Sequence, residues 1–432
     1  MDKKLSLYAA LSVVVANMIG TGVFTSLGFQ VADIKSGFVL MMLWIVGGVI
    51  ALCGALSYAE LGAALPRSGG EYNFLGQLMH PSLGFVSGWV SATIGFAAPT
   101  ALAAFTFGSY LNQIFPSLSP TWLAAGLIIV VTLIHSSSLR NSSWFQSGFT
   151  SLKVLLILAF IGVGFLLVET PQPIQIVPAP GDWSLLTGSA FAVSLIYVSY
   201  AYTGWNAATY LINEMETPKR NLPLVLGIGT GLVMILYVLL NYIFLYAAPI
   251  SALEGKLEVG YVAAQYMFGS VGANIMGSVL ALLLISTVSA MMLAGPRVLQ
   301  VIGQDFSLFS WLNRTNQHGV PTSAVFFQSG IALFFVFSSS FDSVLLFAGF
   351  TLGVSTLLTV AGIFVLRTKF RHLPRPYEAW GYPVTPIIYL VLMGWTLLFI
   401  LQSETQEALA GLGIIAFGFL AYWGSTWWEK RK

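Results

Sequence analysis

The chain has 432 residues, of which 57% are hydrophobic and only 8% are charged, and its formal net charge is +2. A soluble domain carries roughly 25% charged residues, so this composition excludes an ordinary soluble fold and favours a protein that faces lipid. The small net charge gives no support for nucleic-acid binding. Apolar runs at residues 152–168 and 222–248 exceed the ~10-residue strands of a membrane β-barrel, so the predicted fold class is an all-α membrane protein.

The apolar runs divide into twelve predicted transmembrane helices, at about 20 residues for each crossing. In chain order the spans cover approximately residues 6–30, 37–64, 82–115, 121–139, 145–168, 186–213, 222–248, 271–297, 322–340, 343–367, 384–402 and 406–428. One transmembrane domain is therefore expected over residues 1–432. The amino-terminal Met1-Asp-Lys-Lys leads directly into the first span without a small-residue cleavage site, so no cleavable signal is expected.

The basic residues predict the orientation of these spans. Cytoplasmic loops of membrane proteins carry an excess of lysine and arginine. If both termini are cytoplasmic, only Lys35 and Lys256 lie outside, and Lys153 lies within a span. The expected location is therefore the cell membrane, with many passes and both ends in the cytoplasm. The residues predicted to lie inside are Lys3, Lys4, Arg67, Arg140, Lys219, Arg220, Arg297, Arg314, Arg367, Lys369, Arg371, Arg375, Lys430, Arg431 and Lys432.

Two spans carry glycine at depth, in comparable places. The first span contains NMIGTGVF at residues 17–24, and the sixth contains YAYTGWN at residues 200–206. A single glycine in such a span is explained by close packing of helices through small residues. The pair favours another interpretation, because the starts of the two helices are five spans apart, an odd number, and equivalent helices then run in opposite directions. This is the geometry of an inverted repeat, spans 1–5 (approximately 6–168) against spans 6–10 (approximately 186–367), with two discontinuous helices meeting at mid-membrane.

Broken helices of this kind offer both halves of a site for a zwitterion. Unwinding at Gly20, Thr21 and Gly22 would free amide groups at a new helix N-terminus, where the helix dipole favours a carboxylate. Carbonyl groups left unpaired near Met18 and Tyr200 would accept hydrogen bonds from an ammonium group. The pattern therefore predicts a site for amino acids between the two breaks.

Several motifs resemble those of the amino acid–polyamine–organocation superfamily, and the branch they most resemble is the L-type amino acid transporters with their bacterial relatives. The resemblance covers nearly the whole chain in order. Its motifs are IGTGVF (19–24), YAELG (58–62), PRSGGEY (66–72), AYTGWN (201–206), NE (213–214), PKRNLP (218–223), GPRV (295–298), RPY (375–377) and GYP (381–383). The resemblance implies a five-plus-five inverted repeat of the LeuT type, with helices 11 and 12 (approximately 384–428) appended.

The resemblance also assigns roles to residues of the two breaks. It implies that Thr21 and Gly22 bind the substrate carboxylate, that the carbonyls of Met18, Tyr200 and Thr203 receive its ammonium group, and that the Tyr200 ring gates the site. Tyr200 and Thr203 stand where L-type relatives often have phenylalanine and glycine, so the side-chain preference of relatives does not transfer directly. The complete predicted substrate-binding set is Met18, Ile19, Gly20, Thr21, Gly22, Tyr200, Ala201, Thr203 and Gly204.

Lys153 is the basic residue within a predicted span, and a charge at membrane depth is a functional hypothesis by default. The alternative is snorkelling, because a lysine about seven residues from its helix end lies only ~10 Å from the membrane surface. The resemblance favours a functional role, in which a fifth-helix lysine near the broken first helix replaces the sodium ion of sodium-coupled relatives. Tyr237, Ser286 and Ser289 are further candidates for coupling or gating, although each is also explained by ordinary helix packing.

Two other charged features have structural interpretations. Glu60 lies near a predicted cytoplasmic helix end and is expected to be structural or part of a gate. The basic stretch at residues 366–375 is a topology determinant that also suits contact with anionic lipids.

These observations predict sodium-independent secondary transport of amino acids, without ATP, since the chain contains no Walker A motif. Apart from Glu60 and Glu407, which lie near the ends of their spans, no acidic side chain lies within the predicted spans, which favours neutral L-amino acids. Exchange is the favoured mode, and proton-coupled symport and transport of cationic amino acids or polyamines remain alternatives. A membrane enzyme lacks paired carboxylates here, and a channel would need rings of polar residues or a re-entrant filter.

No cofactor or metal is expected. The histidines at positions 80, 135, 318 and 372 have no zinc-ligand spacing, and the single cysteine, Cys53, allows no disulfide framework. The expected partners are an amino acid substrate and the lipid bilayer, with no nucleic acid. A chain this compact, with short termini, is also expected to need no obligatory partner subunit.

Overall fold

The computed structural model describes residues 5–137, 142–429 and 431, apart from the side chains of residues 142–150 and 429. The predicted cytoplasmic residues Lys3, Lys4, Arg140, Lys430 and Lys432 lie outside the described residues. Within the described part, the regular secondary structure is helical, and the only β pairing is a single bridge between Leu5 and Met215.

The helices follow the apolar runs and their boundaries follow the polar and glycine-containing junctions. In chain order they are α1 (Leu7–Met18), α2 (Gly22–Asp33), α3 (Gly37–Ala64), α4 (Glu71–Leu78), α5 (Pro81–Val90), α6 (Ala97–Ile114), α7 (Pro120–Ser137), α8 (Ser142–Leu167), α9 (Asp182–Leu186), α10 (Ser189–Ala201), α11 (Pro218–Ala247), α12 (Ile250–Leu253), α13 (Val259–Asp305), α14 (Thr322–Ser338), α15 (Phe341–Lys369), α16 (Val384–Ser403) and α17 (Thr405–Glu429). A π-helical segment, Ser91–Gly95, joins α5 to α6, and 3₁₀ segments occur at Ala207–Glu214 and Ser307–Asn313.

Among the described residues, nine helical stretches are long and apolar enough to cross a membrane, and three more apolar helices are shorter. Each of the twelve predicted spans overlaps one of them. The long stretches are Leu7–Asp33, Gly37–Ala64, Pro81–Ile114, Pro120–Ser137, Pro218–Ala247, Val259–Asp305, Phe341–Lys369, Val384–Ser403 and Thr405–Trp428, and the shorter ones are Ser151–Leu167, Ser189–Ala201 and Thr322–Ser338.

Two predicted spans are less regular than expected. The third span contains the π-helical segment Ser91–Gly95 where an unbroken helix is predicted. The eighth span is predicted to begin at residue 271, but α13 begins at Val259 and includes Gly269 with φ +69° and ψ −172°. Only glycine adopts such a backbone readily, so α13 is two helical pieces joined at Gly269. Apolarity alone does not reveal either irregularity, because the few small and hydroxyl-bearing residues at both places, such as Ser91, Thr93 and Gly269, also occur in regular membrane helices.

Helix α3 lies at the centre of the bundle and α17 at its edge. The most apolar window of α3 is 67% buried and that of α17 is 22% buried. Large apolar side chains on α8 and α17, such as Leu166 and Leu420, are exposed on the outer surface. An exposed apolar surface is stable in lipid, so the peripheral helices face the bilayer while the breaks described below lie in the interior.

Candidate substrate site at two broken helices

The first break separates α1 from α2. Helix α1 ends at Met18, Ile19 has φ −73° and ψ 86°, and α2 begins at Gly22. The amide of Gly20 donates to the Met18 carbonyl over 2.8 Å, which closes a tight turn instead of continuing the helix. The predicted discontinuity of the first helix is therefore confirmed. No side chain caps the start of α2, so its first amide groups lack the partner that a capping side chain would supply.

The second break lies at the end of α10. The helix stops at Ala201, a turn occupies residues 202–206, and the 3₁₀ segment Ala207–Glu214 follows. Gly204 has φ +100°, a conformation that other residues rarely adopt. The predicted break in the sixth helix is confirmed, although the chain continues as a 3₁₀ segment and not as an α-helix.

Glycine brings the two breaks into direct contact. A Cβ atom added at Gly22 would lie 2.5 Å from the Cα atom of Ala201, and one added at Gly204 would lie 2.7 Å from the Asn17 carbonyl group. Both distances are far below van der Waals contact, and the opposing atoms are backbone atoms that side-chain rotation does not move. Each break therefore needs its glycine so that the other broken helix can approach.

Lys153 reaches the first break from α8. Its Nζ donates to the Ile19 carbonyl over 3.3 Å and to the Thr287 hydroxyl of α13 over 2.8 Å, and the residue is only 4% exposed. The ammonium group thus lies in the interior, at a carbonyl that the break leaves without a helical partner, and the side chain does not extend to the membrane surface. Thr287 is not among the residues that the sequence singles out, because nothing in its helical pattern distinguishes it from Ser286 and Ser289.

Tyr237 lies next to this arrangement and holds the last carbonyl of α1. Its hydroxyl donates to Met18 O over 2.6 Å, and the same oxygen accepts from the Gly20 amide. Both lone pairs of the Met18 carbonyl are therefore in use. The Tyr200 carbonyl is similarly occupied, because the Thr203 amide and hydroxyl donate to it over 2.9 and 2.6 Å. Two of the three carbonyls predicted to receive an ammonium group, those of Met18 and Tyr200, therefore accept from internal donors.

The space beside the first break is small. A cavity of about 10 Å³ is lined by Gly20, Lys153 and Thr287 together with apolar side chains. This volume is close to the room needed for one water molecule, and an amino acid needs far more. The apolar lining consists mainly of Ile19, Phe24, Leu280, Leu283 and Leu284, with Tyr110 contributing a phenol ring.

The remaining residues that the sequence singles out are placed elsewhere. The Ser289 hydroxyl lies 2.8 Å from His135 Nε2 of α7, and the buried Ser286 hydroxyl has no hydrogen-bond partner within the described part of the chain. Neither serine lines the cavity. Glu60 is fully buried and accepts two hydrogen bonds from Arg367, over 2.8 and 2.7 Å, at the far end of α3.

Contacts close the site at the start of α3, which we call the α12 end. Gly255 donates its amide to the Gly28 carbonyl over 2.9 Å, and Lys35 forms a 2.5 Å ion pair with Glu254. A Cβ atom at Gly28 would lie 1.9 Å from the Lys256 carbonyl oxygen, so α2 and the segment after α12 touch through backbone atoms.

A second set of contacts closes the opposite end, which we call the α4 end. It lies about 42 Å away along the 28 residues of α3, at 1.5 Å per residue. Leu5 pairs with the chain where the 3₁₀ segment ends, donating to Glu214 O over 2.6 Å and accepting from the Glu216 amide over 2.9 Å. Tyr72 of α4 donates to Asp305 over 2.6 Å. Burial and the neighbouring Asp305 carboxylate raise the pKa of the Tyr72 phenol, so it stays protonated and able to donate. Contacts between separate parts of the chain therefore hold both ends of the bundle together.

The sequence of the chain is similar to those of known amino acid transporters. The family model described as "Amino acid permease" matches residues 5–420. The "Large neutral amino acids transporter small subunit 2" of Mus musculus is 28% identical over 440 residues, covering 100% of this chain and 82% of the relative. The "Asc-type amino acid transporter 1" of Homo sapiens is 26% identical, with coverage of 100% and 84%, and the human "Cystine/glutamate transporter" is 28% identical, with coverage of 100% and 87%.

The comparison overturns the expectation that no partner subunit is required. The relatives in mouse, rat, human and rabbit that are named "small subunit" are by that name one part of a larger transporter. The compactness of the chain was a poor guide, for a physical reason. A helix surface that binds another membrane protein is as apolar as one that faces lipid, so composition does not distinguish the two.

Proposed function

Because the chain belongs to the amino acid permease family, we propose that it is a multi-pass membrane transporter that exchanges neutral L-amino acids by alternating access, independently of sodium. The observation that carries this proposal is the contact between the two breaks, with Lys153 donating to the Ile19 carbonyl. A fixed ammonium group there takes the place that a coupling cation would occupy between unwound backbone and neighbouring helices. The transporter therefore needs no sodium ion to hold the first break.

The carboxylate of the substrate binds at the start of α2. The amides of Thr21 and Gly22 stand at the positive end of a 12-residue helix that no side chain caps. Gly20 and Ile19 shape the turn that exposes them. A carboxylate there would take the place of a cap, so the substrate itself completes the hydrogen bonding of the break.

The ammonium group of the substrate binds between the last turn of α1 and the second break. Its acceptors are assigned to the carbonyls of Met18, Tyr200 and Thr203, of which the first two now accept from internal donors. Ala201 and Gly204 supply the close backbone approach. The Tyr200 carbonyl now accepts from Thr203, so the substrate competes with that side chain for it. Binding therefore involves a small rearrangement of the second break, and the Tyr200 ring closes over the bound substrate.

A neutral substrate suits the charges at the site. The described cavity lining includes one cation, Lys153, and no acidic side chain. A cationic substrate side chain would meet a like charge without a compensating carboxylate, which costs free energy in a medium of low dielectric constant. This disfavours the alternative of cationic amino acid or polyamine transport.

The positions of the two breaks support a five-plus-five inverted repeat. They fall in the first and sixth spans, so spans 1–5 and 6–10 are equivalent halves of one transmembrane domain, and α16 and α17 follow as appended helices. The excess of basic residues supports an orientation with both termini in the cytoplasm, which places the α4 end inside and the α12 end outside.

Counterflow into proteoliposomes tests this function. Vesicles that contain the chain together with any subunit that purifies with it are loaded with an unlabelled neutral amino acid, and uptake of a labelled one is followed with and without sodium and with a pH gradient. We expect saturable uptake that requires internal amino acid and is unchanged by replacing sodium. Uptake that depends on a proton gradient instead would favour symport, and failure of every amino acid in a panel to compete would overturn the substrate class. The same assay on vesicles that contain the chain alone measures how far activity depends on a second subunit.

A further inference from the structure

Glu71 is a buried carboxylate at the first residue of α4 that no part of the proposed substrate site uses. It is 3% exposed. Its Oε1 accepts from the Tyr58 hydroxyl over 3.0 Å and from Asn206 Nδ2 over 2.6 Å, and its Oε2 accepts from the Tyr210 hydroxyl. We call these four residues the Glu71 cluster. No lysine or arginine of the described chain forms an ion pair with Glu71.

The Glu71 cluster differs from the other buried carboxylate at this end. Glu60 is paired with Arg367 and also accepts from the Ala379 amide, so breaking its contacts would leave a guanidinium group without its partner. The three partners of Glu71 are neutral. Their bonds can be exchanged for water when this end opens, without leaving an uncompensated cation. This makes the Glu71 cluster suitable for repeated release, whereas the Glu60 pair suits a permanent structural contact.

The Glu71 cluster contacts the least regular part of the second broken helix, which is the turn after Gly204 and the 3₁₀ segment that follows it. Asn206 lies two residues after Gly204, and Tyr210 lies in the 3₁₀ segment beside Leu211, whose φ −118° and ψ 16° are not helical. Short 3₁₀ segments have poorer hydrogen-bond geometry than α-helices, so their position depends more on side-chain contacts. Two of the three bonds to Glu71 therefore fix this segment, and the third, from Tyr58, ties it to the central helix α3.

The local backbone is built so that this contact can form. Gly70 precedes Glu71 with φ +52°, and a Cβ atom there would lie 2.9 Å from the Tyr210 ring. Tyr210 also contacts the irregular turn of the third span, where its hydroxyl lies 3.5 Å from Ser91 and its ring packs edge-on against Phe96. Movement of the 3₁₀ segment is thereby linked to the π-helical segment, and such segments often occur at functional sites.

We propose that Glu71 is a positioning residue that holds the segment after the second break in its closed position, so that release of Asn206 and Tyr210 opens the site at the α4 end. The inference rests on the proposed transport function, and it adds the residue that controls one side of the cycle. A matched carboxylate lies at the α12 end. Glu258 is 6% exposed and accepts from two neutral side chains, Ser109 over 2.7 Å and Gln113 over 2.9 Å.

Sided labelling of a cysteine in the cavity tests the proposal without substrate. Leu284, a buried cavity residue, is replaced by cysteine in a Cys53→Ala background, and a membrane-impermeant thiol reagent is applied from each face of oriented vesicles. Glu71→Gln is expected to raise the labelling rate about fivefold or more from the α4 end only, which corresponds to the loss of one or more hydrogen bonds. Glu258→Gln, as the matched control, is expected to raise labelling from the α12 end only.

Single-bond variants and kinetics separate this role from a general loss of stability. Tyr210→Phe and Asn206→Ala are expected to give smaller increases from the α4 end. In exchange assays the Vmax of Glu71→Gln falls about fivefold or more while KM changes less than about threefold, because the cycle needs the closed form and Glu71 lies outside the substrate site. If Glu71→Gln does not fold, labelling of the Tyr210→Phe variant decides. Unchanged labelling and Vmax in a well-folded variant overturn the proposal.

The labelling result is independent of which substrate the protein carries. Absence of amino acid exchange together with sided labelling would overturn the proposed function and leave the role of Glu71 standing. Normal exchange with unchanged labelling would support the proposed function and overturn the role of Glu71.

Discussion

Replacing Lys153 by methionine tests the central feature of the site, because methionine keeps much of the side-chain volume and removes the charge. The change deletes hydrogen bonds to the Ile19 carbonyl and the Thr287 hydroxyl. Each hydrogen bond to a charged group contributes about 1.5–3 kcal/mol, and this loss falls on the closed arrangement of the first break. At about 1.4 kcal/mol for each factor of ten, losing one such bond corresponds to a roughly 10- to 100-fold decrease in transport rate.

The stability of the Lys153→Met variant is expected to change much less than its activity. Removing a buried charge recovers its desolvation cost, which offsets the lost hydrogen bonds. The measurements are counterflow kinetics in proteoliposomes and the thermal midpoint of the purified protein. Lys369→Met, which alters an exposed lysine near the end of α15, serves as the control and should leave both unchanged. Wild-type uptake kinetics in a well-inserted Lys153→Met variant would show that the lysine does not support transport.

Three further substitutions test contacts at the site and at the α12 end. Gly22→Ala places a Cβ atom 2.5 Å from the Ala201 Cα, so it should abolish exchange and lower the thermal midpoint, and normal activity would mean that the breaks do not meet this closely. Tyr237→Phe removes the 2.6 Å bond to the Met18 carbonyl, worth about 1 kcal/mol, and should slow exchange about fivefold in the same assay. Lys35→Ala breaks an exposed ion pair worth at most about 1 kcal/mol, so the thermal midpoint should change little, and a large decrease would contradict this expectation.

The agreement between sequence and structure is closest where one physical rule dominates. The twelve apolar runs all contain apolar helices, because a backbone in lipid has no water to bond and must bond within its own segment. The breaks at Gly20–Gly22 and at Gly204 were also predictable, since glycine recurs at depth at comparable positions of the first and sixth spans. The break at Gly269 and the π-helical segment Ser91–Gly95 were not predicted, because neither changes the apolar pattern of its span.

The same distinction applies to individual residues, because the sequence revealed some of them and not others. Lys153 stood out in the sequence because a charge within an apolar span is costly and therefore rare. Its partner Thr287 did not, because a threonine in a helix is ordinary until α8 and α13 are packed together. The same holds for Glu71, which in the sequence is one polar residue of a short loop. It becomes a buried carboxylate only when Tyr58, Asn206 and Tyr210 converge on it.

The amino-acid sequence by itself determined that this protein faces lipid, that its fold is helical, and where two of its helices break. Those properties depend on local composition, which the chain carries at each position. Only the tertiary structure decided that the breaks touch, that Lys153 donates to Ile19, and that contacts hold both ends of the bundle together. These features depend on which helices are neighbours, and residues as far apart in the chain as Ile19, Lys153 and Thr287 come together only through packing.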